Sequence, residues 1–408
     1  MNDWPRVPLK HLVDINQRVL PETTPASTEF RYIDISTCGR GRLEAEPELM
    51  RFADAPSRAR RLVRSGDTLV ATVRTYLRAV WPAAGSPDDL VASTGFAVLS
   101  PRDRLDPGFL GWVAQSDPFI EEIVARSVGV SYPAVNGLEV GELSVGVPQM
   151  ATQRAIADYL DAETARIDAL VAARRLQTEL VAERFRALRE ARVRALLEEF
   201  GTVPLKRLAC RIEQGWSPDA EAVPAEPREW GVLKTSAVSA GKFDGSQNKR
   251  LPAGVTFDRR WAVMDGDLLV VRGSGSPGAV AQAAVAATGG RHLLLPDLLY
   301  RVRLRVGDAR FLAHALASQF ARDQFEAAIR TDVGMTRKIR SEDLANVLVP
   351  AAPVPIQQQA SDALDQETTA IERVREAARR QIDLLLERRQ ALITAAVTGQ
   401  LEIPGVAA

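Results

Sequence analysis

Two stretches of this chain carry neither proline nor glycine: 149–200, between Pro148 and Gly201, and 356–398, between Pro355 and Gly399. Proline cannot continue a helix interior and glycine commonly ends one, so each stretch predicts one long helix with a physical stop at either end. In the first, Leu160, Ile167, Val181 and Leu188 fall on a seven-residue repeat that Arg174 interrupts and Ala195 continues. In the second, Leu364, Ile371, Ala378, Leu385 and Leu392 form an unbroken one. Three residues beyond these rows stand Leu170, Gln177, Arg184 and Ala191, matched by Val374, Gln381, Arg388 and Ala395. Such a stripe buries itself against another helix in coiled-coil fashion, and the shared Gln and Arg predict a polar step that fixes register. At about 1.5 Å per residue, about 46 residues reach roughly 70 Å.

The helices are copies. Asp158, Leu160, Asp161, Glu163, Thr164 and Ile167 return 204 residues later as Asp362, Leu364, Asp365, Glu367, Thr368 and Ile371. The segments before them also begin alike, with Val7, Pro8, Leu9, Lys10 and Leu12 against Val203, Pro204, Leu205, Lys206 and Leu208. Between these landmarks, strand-like runs (68–73, 96–99, 268–271) mix with turns, and 311–330 reads as one short amphipathic helix. The expected class is α+β: two mixed α/β globules, 1–148 and 201–355, each followed by a long helix, 149–200 and 356–408 with its tail. Pairing the two helices within the chain satisfies both seams at once. Because the second globule must return the chain, the pairing would be antiparallel, with the globules at opposite ends of a rod about a pseudo-two-fold axis. A pair so related reads half-sites on duplex DNA in opposite orientation.

A chain of 408 residues with 46% hydrophobic content suits two or three domains with real cores. Lys+Arg 52 against Asp+Glu 52 leaves no global positive field, so a nucleic-acid binder would have to concentrate its charge locally. Cys38 and Cys210 stand apart from any CxxC or Cys/His cluster, against a disulfide framework or a zinc site. The start, from Met1 to Pro5, has no apolar leader, and no run of 18 apolar residues occurs; the expectation is a soluble, cytoplasmic protein with no membrane partner. His11, His292 and His314 form no H-E-x-x-H, and no G-x-S-x-G, Walker loop or helix-opening G-x-G-x-x-G is present. No catalytic residue and no metal ligand is expected.

One glycine-rich loop, 272–278 (RGSGSPG), follows a strand-like run. Its backbone N–H groups suit a phosphate, but with no Lys and no helix start behind it a nucleotide pocket is the weaker reading. A DNA-phosphate contact and an ordinary hairpin turn both remain. The repeated Gly-Asp-x-Leu-Val of 66–70 and 266–270 sets this loop at the same point as 74–78 (RTYLR) in the first half. Two loops at one position, unlike in sequence, fit a duplicated reader of two different half-sites. Arg51, Arg58, Arg60, Arg61 and Arg64 precede that point in the first half; Lys249, Arg250, Arg259 and Arg260 do so in the second, with Arg337, Lys338 and Arg340 later. Arginine reads guanine and binds phosphate, although an arginine-rich chain also scatters such groups on solvated faces. The candidate DNA contacts are Arg58, Arg61, Arg74, Tyr76 and Arg78, then Lys249, Arg250, Arg272, Ser274, Ser276, Arg337 and Lys338.

With these residues in view, the chain resembles the DNA-specificity subunits of type I restriction–modification systems along essentially its whole length. The resemblance is carried by 153–168 (QRAIADYLDAETARID), 387–401 (ERRQALITAAVTGQL), and 74–78 with 93–96 (STGF). The second helix start, 356–364, departs somewhat from the form seen at Gln153. The resemblance implies two target-recognition domains that each read half of a split, asymmetric site, with helices that act as a ruler between them. It further implies double-stranded DNA and two modification (methyltransferase) subunits as partners, and through these the restriction subunits, which are ATP-dependent translocases. S-adenosylmethionine would belong to the modification subunit, with no cofactor bound by this chain. Two other classes stay open: a coiled-coil scaffold with two protein-binding heads, and an enzyme using the 272–278 loop on a nucleotide.

Overall fold

Met1–Arg175 with Ala378–Ala408 form one compact unit and Leu176–Ala377 the other, in a computed structural model that describes residues 4–239, 241–275, 277–329 and 337–403. In the first unit Arg6–Pro8 pairs antiparallel with Ser144–Gly146, so the globule is tied shut where the long helix begins. One antiparallel sheet runs in the order Val13–Ile15, Phe96–Pro101, Thr68–Ala71, Val80–Pro82. The other runs Glu48–Arg51, Glu29–Ile33, Leu90–Ser93, Ala59–Val63, with Glu29–Ile33 parallel to Leu90–Ser93. The continuous apolar run at Thr68–Ala71 has a simple cause: both faces are covered. Leu69 and Ala71 join Phe96, Val98, Ile33 and Leu90 between the sheets, whereas Val70 packs with Ala97 and Leu99 under the helices Pro107–Gln115 and Asp117–Arg126.

The second unit repeats the plan. Thr202–Pro204 pairs with Leu348–Pro350, and a sheet orders Ala209–Gln214, Leu299–Leu304, Leu268–Val271, Ala283–Val285. A second sheet orders Asn248–Arg250, Trp230–Leu233, His292–Leu294, again with one parallel pair. Among the described residues it lacks a counterpart to the strand Ala59–Val63; only the isolated bridge between Ala262 and Leu294 stands there. The single helix expected over 311–330 is two, Ala309–Leu316 and Gln319–Ala328, and Arg330 lies outside the described residues. Ser318 breaks it: its extended backbone and its hydroxyl, which accepts from the Ala321 N–H, make it an N-cap.

The repeated Gly-Asp-x-Leu-Val proves to be a turn with a buried anion. Asp67 accepts from the Arg64 N–H and from Arg18 Nη2 at 2.5 Å. Asp267 accepts from the Met264 N–H and pairs with Arg303 at 2.7 Å and Arg301 at 3.4 Å. Arg301 is 1% exposed and also reaches Glu213 and the carbonyls of Ala262 and Arg260.

The long helices are Met150–Phe200 and Val354–Val397. Gly201 (φ +70°) and Gly399 (φ +72°) stand just past their ends, in the left-handed conformation that lets a chain leave a helix. The second begins slightly earlier than expected, because Pro355 is tolerated in a first turn, where no intrahelical donor is lost. Each start is pinned by the same buried glutamine. Gln153 accepts from the Asp106 N–H and donates to the Arg104 and Pro148 carbonyls; Gln357 accepts from the Asp308 N–H and donates to the Ala352 carbonyl. The departure in sequence around 356–359 therefore leaves the joint intact.

Within each unit, the beginning of one helix lies beside the end of the other, so the pairing is antiparallel. In the first unit, Trp112 donates to Asp161 at 2.9 Å, Arg389 stacks over the same indole, and Arg389 pairs with Asp168 at 3.2 Å. In the second, His314 meets Asp365 at 3.1 Å and packs edge-on against Phe185. Thr394 Oγ1 accepts from the Asp117 N–H and Glu190 from the Gln319 N–H, again one relation used twice. The row Leu160, Ile167, Leu364 and Ala378 is buried, with Val181, Leu188, Ile371, Leu385 and Leu392 half-buried and Ala195 exposed. The companion row differs from expectation. Leu170, Gln177, Arg184 and Ala191 are exposed, as are Gln381 and Arg388, while Thr164, Val171, Phe185, Thr368, Ile382 and Arg389 turn inward. A heptad seam alternates steps of three and four, and here the step beyond the leucine row is four, which carries the shared Gln and Arg outward.

Candidate nucleic-acid interface

In both units the segment after the central strand forms one end of the globule. Thr72 N donates to the Gly95 carbonyl, and Arg272 N donates to the Leu298 carbonyl, so the two loops start from equivalent backbone positions. Past that shared start the two loops diverge.

In the first unit, residues 75–77 make a single 3-10 turn between Arg74 (φ +54°) and Arg78 (φ +55°), both left-handed. A left-handed L-residue costs about 1–2 kcal/mol, so the turn stays only because its surroundings overdetermine it. Those surroundings are explicit. The Arg74 N–H donates to the Pro133 carbonyl, Val73 bridges Ala134, and the Thr75 and Ser127 hydroxyls meet at 2.8 Å. Arg74 lies over the Tyr132 ring at 4.7 Å, and Arg78 reaches Asp117 at 3.1 Å. Tyr76 is exposed. Arg58 is exposed and linked to the same end through its carbonyl, which accepts from the Thr94 N–H. Arg61 sits on the outer strand, half-buried; burial lowers its pKa, and its Nε has no hydrogen-bond partner among the described residues. It is placed apart from the turn.

In the second unit, Gly273–Ser274 pairs antiparallel with Arg337–Lys338. Two clusters more than sixty residues apart in the chain thus become one two-stranded ribbon carrying Arg272, Ser274, Arg337 and Lys338. Gly273 eases the pairing, since a Cβ there would stand 2.8 Å from Lys338 Cγ and push that side chain aside. Arg272 donates to Tyr300 Oη at 3.2 Å and to the Asp297 carbonyl, and Asp297 in turn holds Ser217 beside the exposed Trp216. A 3-10 turn, Pro277–Ala279, and then the strand Ala283–Val285 come next, so no helix N-terminus backs the loop as a nucleotide cradle needs. Ser276 lies outside the described residues. Lys249 and Arg250 sit on an edge strand away from the ribbon. Arg250 is paired with Glu221 and Glu229, and the hydrogen bonds it donates to Glu221 raise its pKa.

The loop beside the first turn escaped sequence reasoning: Val128, Val130 and Tyr132 are exposed on it. A signal was available. Val128, Gly129, Val130 and Ser131 recur as Val333, Gly334, Met335 and Thr336, immediately before Arg337. The match is short, and it carries no charge to draw attention. Among the described residues no cluster of His, Cys, Asp and Glu suits a metal ion, and no helix is long and apolar enough to cross a membrane.

No family model matches the chain. The EcoKI type I restriction enzyme specificity subunit of Escherichia coli (strain K12) is 26% identical over 276 residues, 63% of this chain and 57% of that protein. The EcoEI type I restriction enzyme specificity subunit of Escherichia coli is 28% identical over 153 residues, 37% of this chain and 26% of that protein. The chain is thus matched over about half the length of the first relative and a quarter of the second. Its fold resembles a chain solved for complex assembly and conformational transition of the type I R-M system, at TM-score 0.73 and 23% identity over 98% of this chain and 99% of that one. It also resembles the HsdS subunit from Thermoanaerobacter tengcongensis, at TM-score 0.52 and 24% identity over 98% of each chain.

Proposed function

We propose that this chain, which belongs among the specificity subunits of type I restriction–modification systems, selects the DNA site on which such a complex acts. Residues 1–148 and 201–355 each read one half of a split, asymmetric sequence. The observation that carries this reading is the pair of equivalent, unlike ends: a strained arginine turn at 74–78 in one half and a basic ribbon of 272–274 with 337–338 in the other. A duplicated scaffold with divergent tips is what two different half-sites require. Arginines and lysines at each tip position it on phosphate, while side chains that reach the groove read base edges. The chain contributes recognition and no catalysis; two modification subunits dock on it, bring S-adenosylmethionine, and link it to restriction subunits.

The test is to map methylated positions in cells carrying the complete system, then replace residues 1–148 by the equivalent domain of another specificity subunit. One half-site should change and the other persist. Two unchanged half-sites would remove the modular reading. For the ribbon, Lys338→Ala should weaken binding uniformly across sequences and lower the salt slope by about one, the mark of a phosphate contact.

A further inference from the structure

We infer that the first head senses the C5-methyl group of thymine, through an apolar edge that no basic-residue search would find. The inference rests on the DNA reading above and names the chemistry of that same tip. Tyr76 (55% exposed), Leu77 (47%), Val128 (79%), Val130 (101%) and Tyr132 (60%) gather where the 74–78 turn meets the 128–134 loop. Exposed large apolar groups on one small surface mark a contact site rather than chance. The surface is built, because the two loops are cross-linked by the Arg74 N–H to the Pro133 carbonyl, by the Val73–Ala134 bridge, and by the Thr75 and Ser127 hydroxyls. Arg74 and Arg78 border it with positive charge, Arg78 shared with Asp117, and this charge selects duplex DNA over an apolar protein face as its occupant. Arg78 is exposed, and Arg74 is spread over Tyr132, leaving its guanidinium plane beside the apolar edge.

In the major groove the only apolar feature of a base pair is the thymine methyl, and apolar side chains are what recognise it. The ribbon of the second unit carries Arg272, Arg337 and Lys338.

The experiment uses the complete specificity–modification complex and its mapped site, with each thymine of both half-sites replaced singly by uracil. Removing a contacted methyl should weaken binding about fourfold, the size of one buried methyl group. The loss that the first head causes should fall in one half-site only. It should vanish when Val130→Ser or Tyr132→Ser is introduced, while the other half-site's response to base changes is preserved. Val130 projects into solvent, so its replacement leaves folding intact. A first half-site without thymine, uracil substitutions that have no effect, or an effect that persists unchanged in both variants would each overturn the inference while leaving the DNA reading in place. Variants that release the modification subunit instead would make the tip a protein surface and overturn it too. A wild-type complex that binds no specific duplex overturns the DNA reading itself, and the inference with it.

Discussion

Beside the long helices, Trp112 donates to Asp161 in the first unit and His314 meets Asp365 in the second, at the same place in the plan. The two carboxyls nonetheless titrate in opposite directions. Burial pushes Asp161 up, and the neutral indole only partly offsets it. Burial would push Asp365 up as well, but His314 and Arg310 outweigh it and hold that carboxyl below its usual range. The same contrast holds in the cores: Arg301 is buried among two carboxylates and two carbonyls, whereas Arg18, its functional counterpart on Asp67, keeps 29% of its side chain exposed. Duplication preserved the joints and let the charges diverge. At these two matched places the second unit relies on ion pairs where the first uses a neutral indole and a more open arginine.

The sharpest way to break this comparison is Arg301→Met against Arg18→Met. Removing the buried arginine leaves Glu213 and Asp267 with the partly exposed Arg303 as their shared counterion, which costs about 3 kcal/mol, the low end for a broken buried pair. Removing Arg18 forfeits a charge-assisted bond at a half-open site, about 1–3 kcal/mol. Urea unfolding of the full chain, with hydrogen exchange assigning the loss to a unit, should show the larger deficit in the second; equal losses would refute the contrast.

Gln153→Ala and Gln357→Ala make the complementary test of sameness. Each leaves buried backbone groups unpaired, at about 1–3 kcal/mol, and each should raise exchange in the first turn of its own helix. A large effect in only one helix would mean that the joints are not equivalent.

A smaller effect is pH-dependent. Asp365, depressed in the folded state, contributes stability that is present above the ordinary carboxylate value of about 3.9 and is lost as pH falls through the depressed one. Asp161, raised in the folded state, contributes stability that is present below the ordinary value and is lost as pH rises through the raised one. Acidification below about pH 4 should therefore loosen the second helix–globule joint before the first, read as earlier exchange around 309–316 than around 107–115. Simultaneous opening would count against the assignment.

The smallest effect concerns the thiols. Cys38 is buried, and burial with the charge of Glu44 raises its pKa to about 12, whereas Cys210 is exposed. Iodoacetamide on the native chain should label Cys210 and spare Cys38; labelling of both would indicate that the first unit opens.

Periodicity alone was enough for the long helices, because proline and glycine stops and a seven-residue row are local properties that survive any environment. The duplication was likewise legible, since repeated residues such as Asp161/Asp365 and Thr164/Thr368 keep their spacing whatever they touch. The companion row of the seam was not, because choosing between a step of three and a step of four requires knowing which face meets a neighbour. The candidate contacts divide the same way. Arg74, Arg78 and Arg272 could be placed from their position after the repeated strand, but the pairing of Arg337 and Lys338 with Gly273 and Ser274 joins segments distant in the chain. Arg250 looked like its neighbours until Glu221 was found beside it. What a side chain contributes depends on the charges and surfaces brought against it, and only the folded chain supplies those.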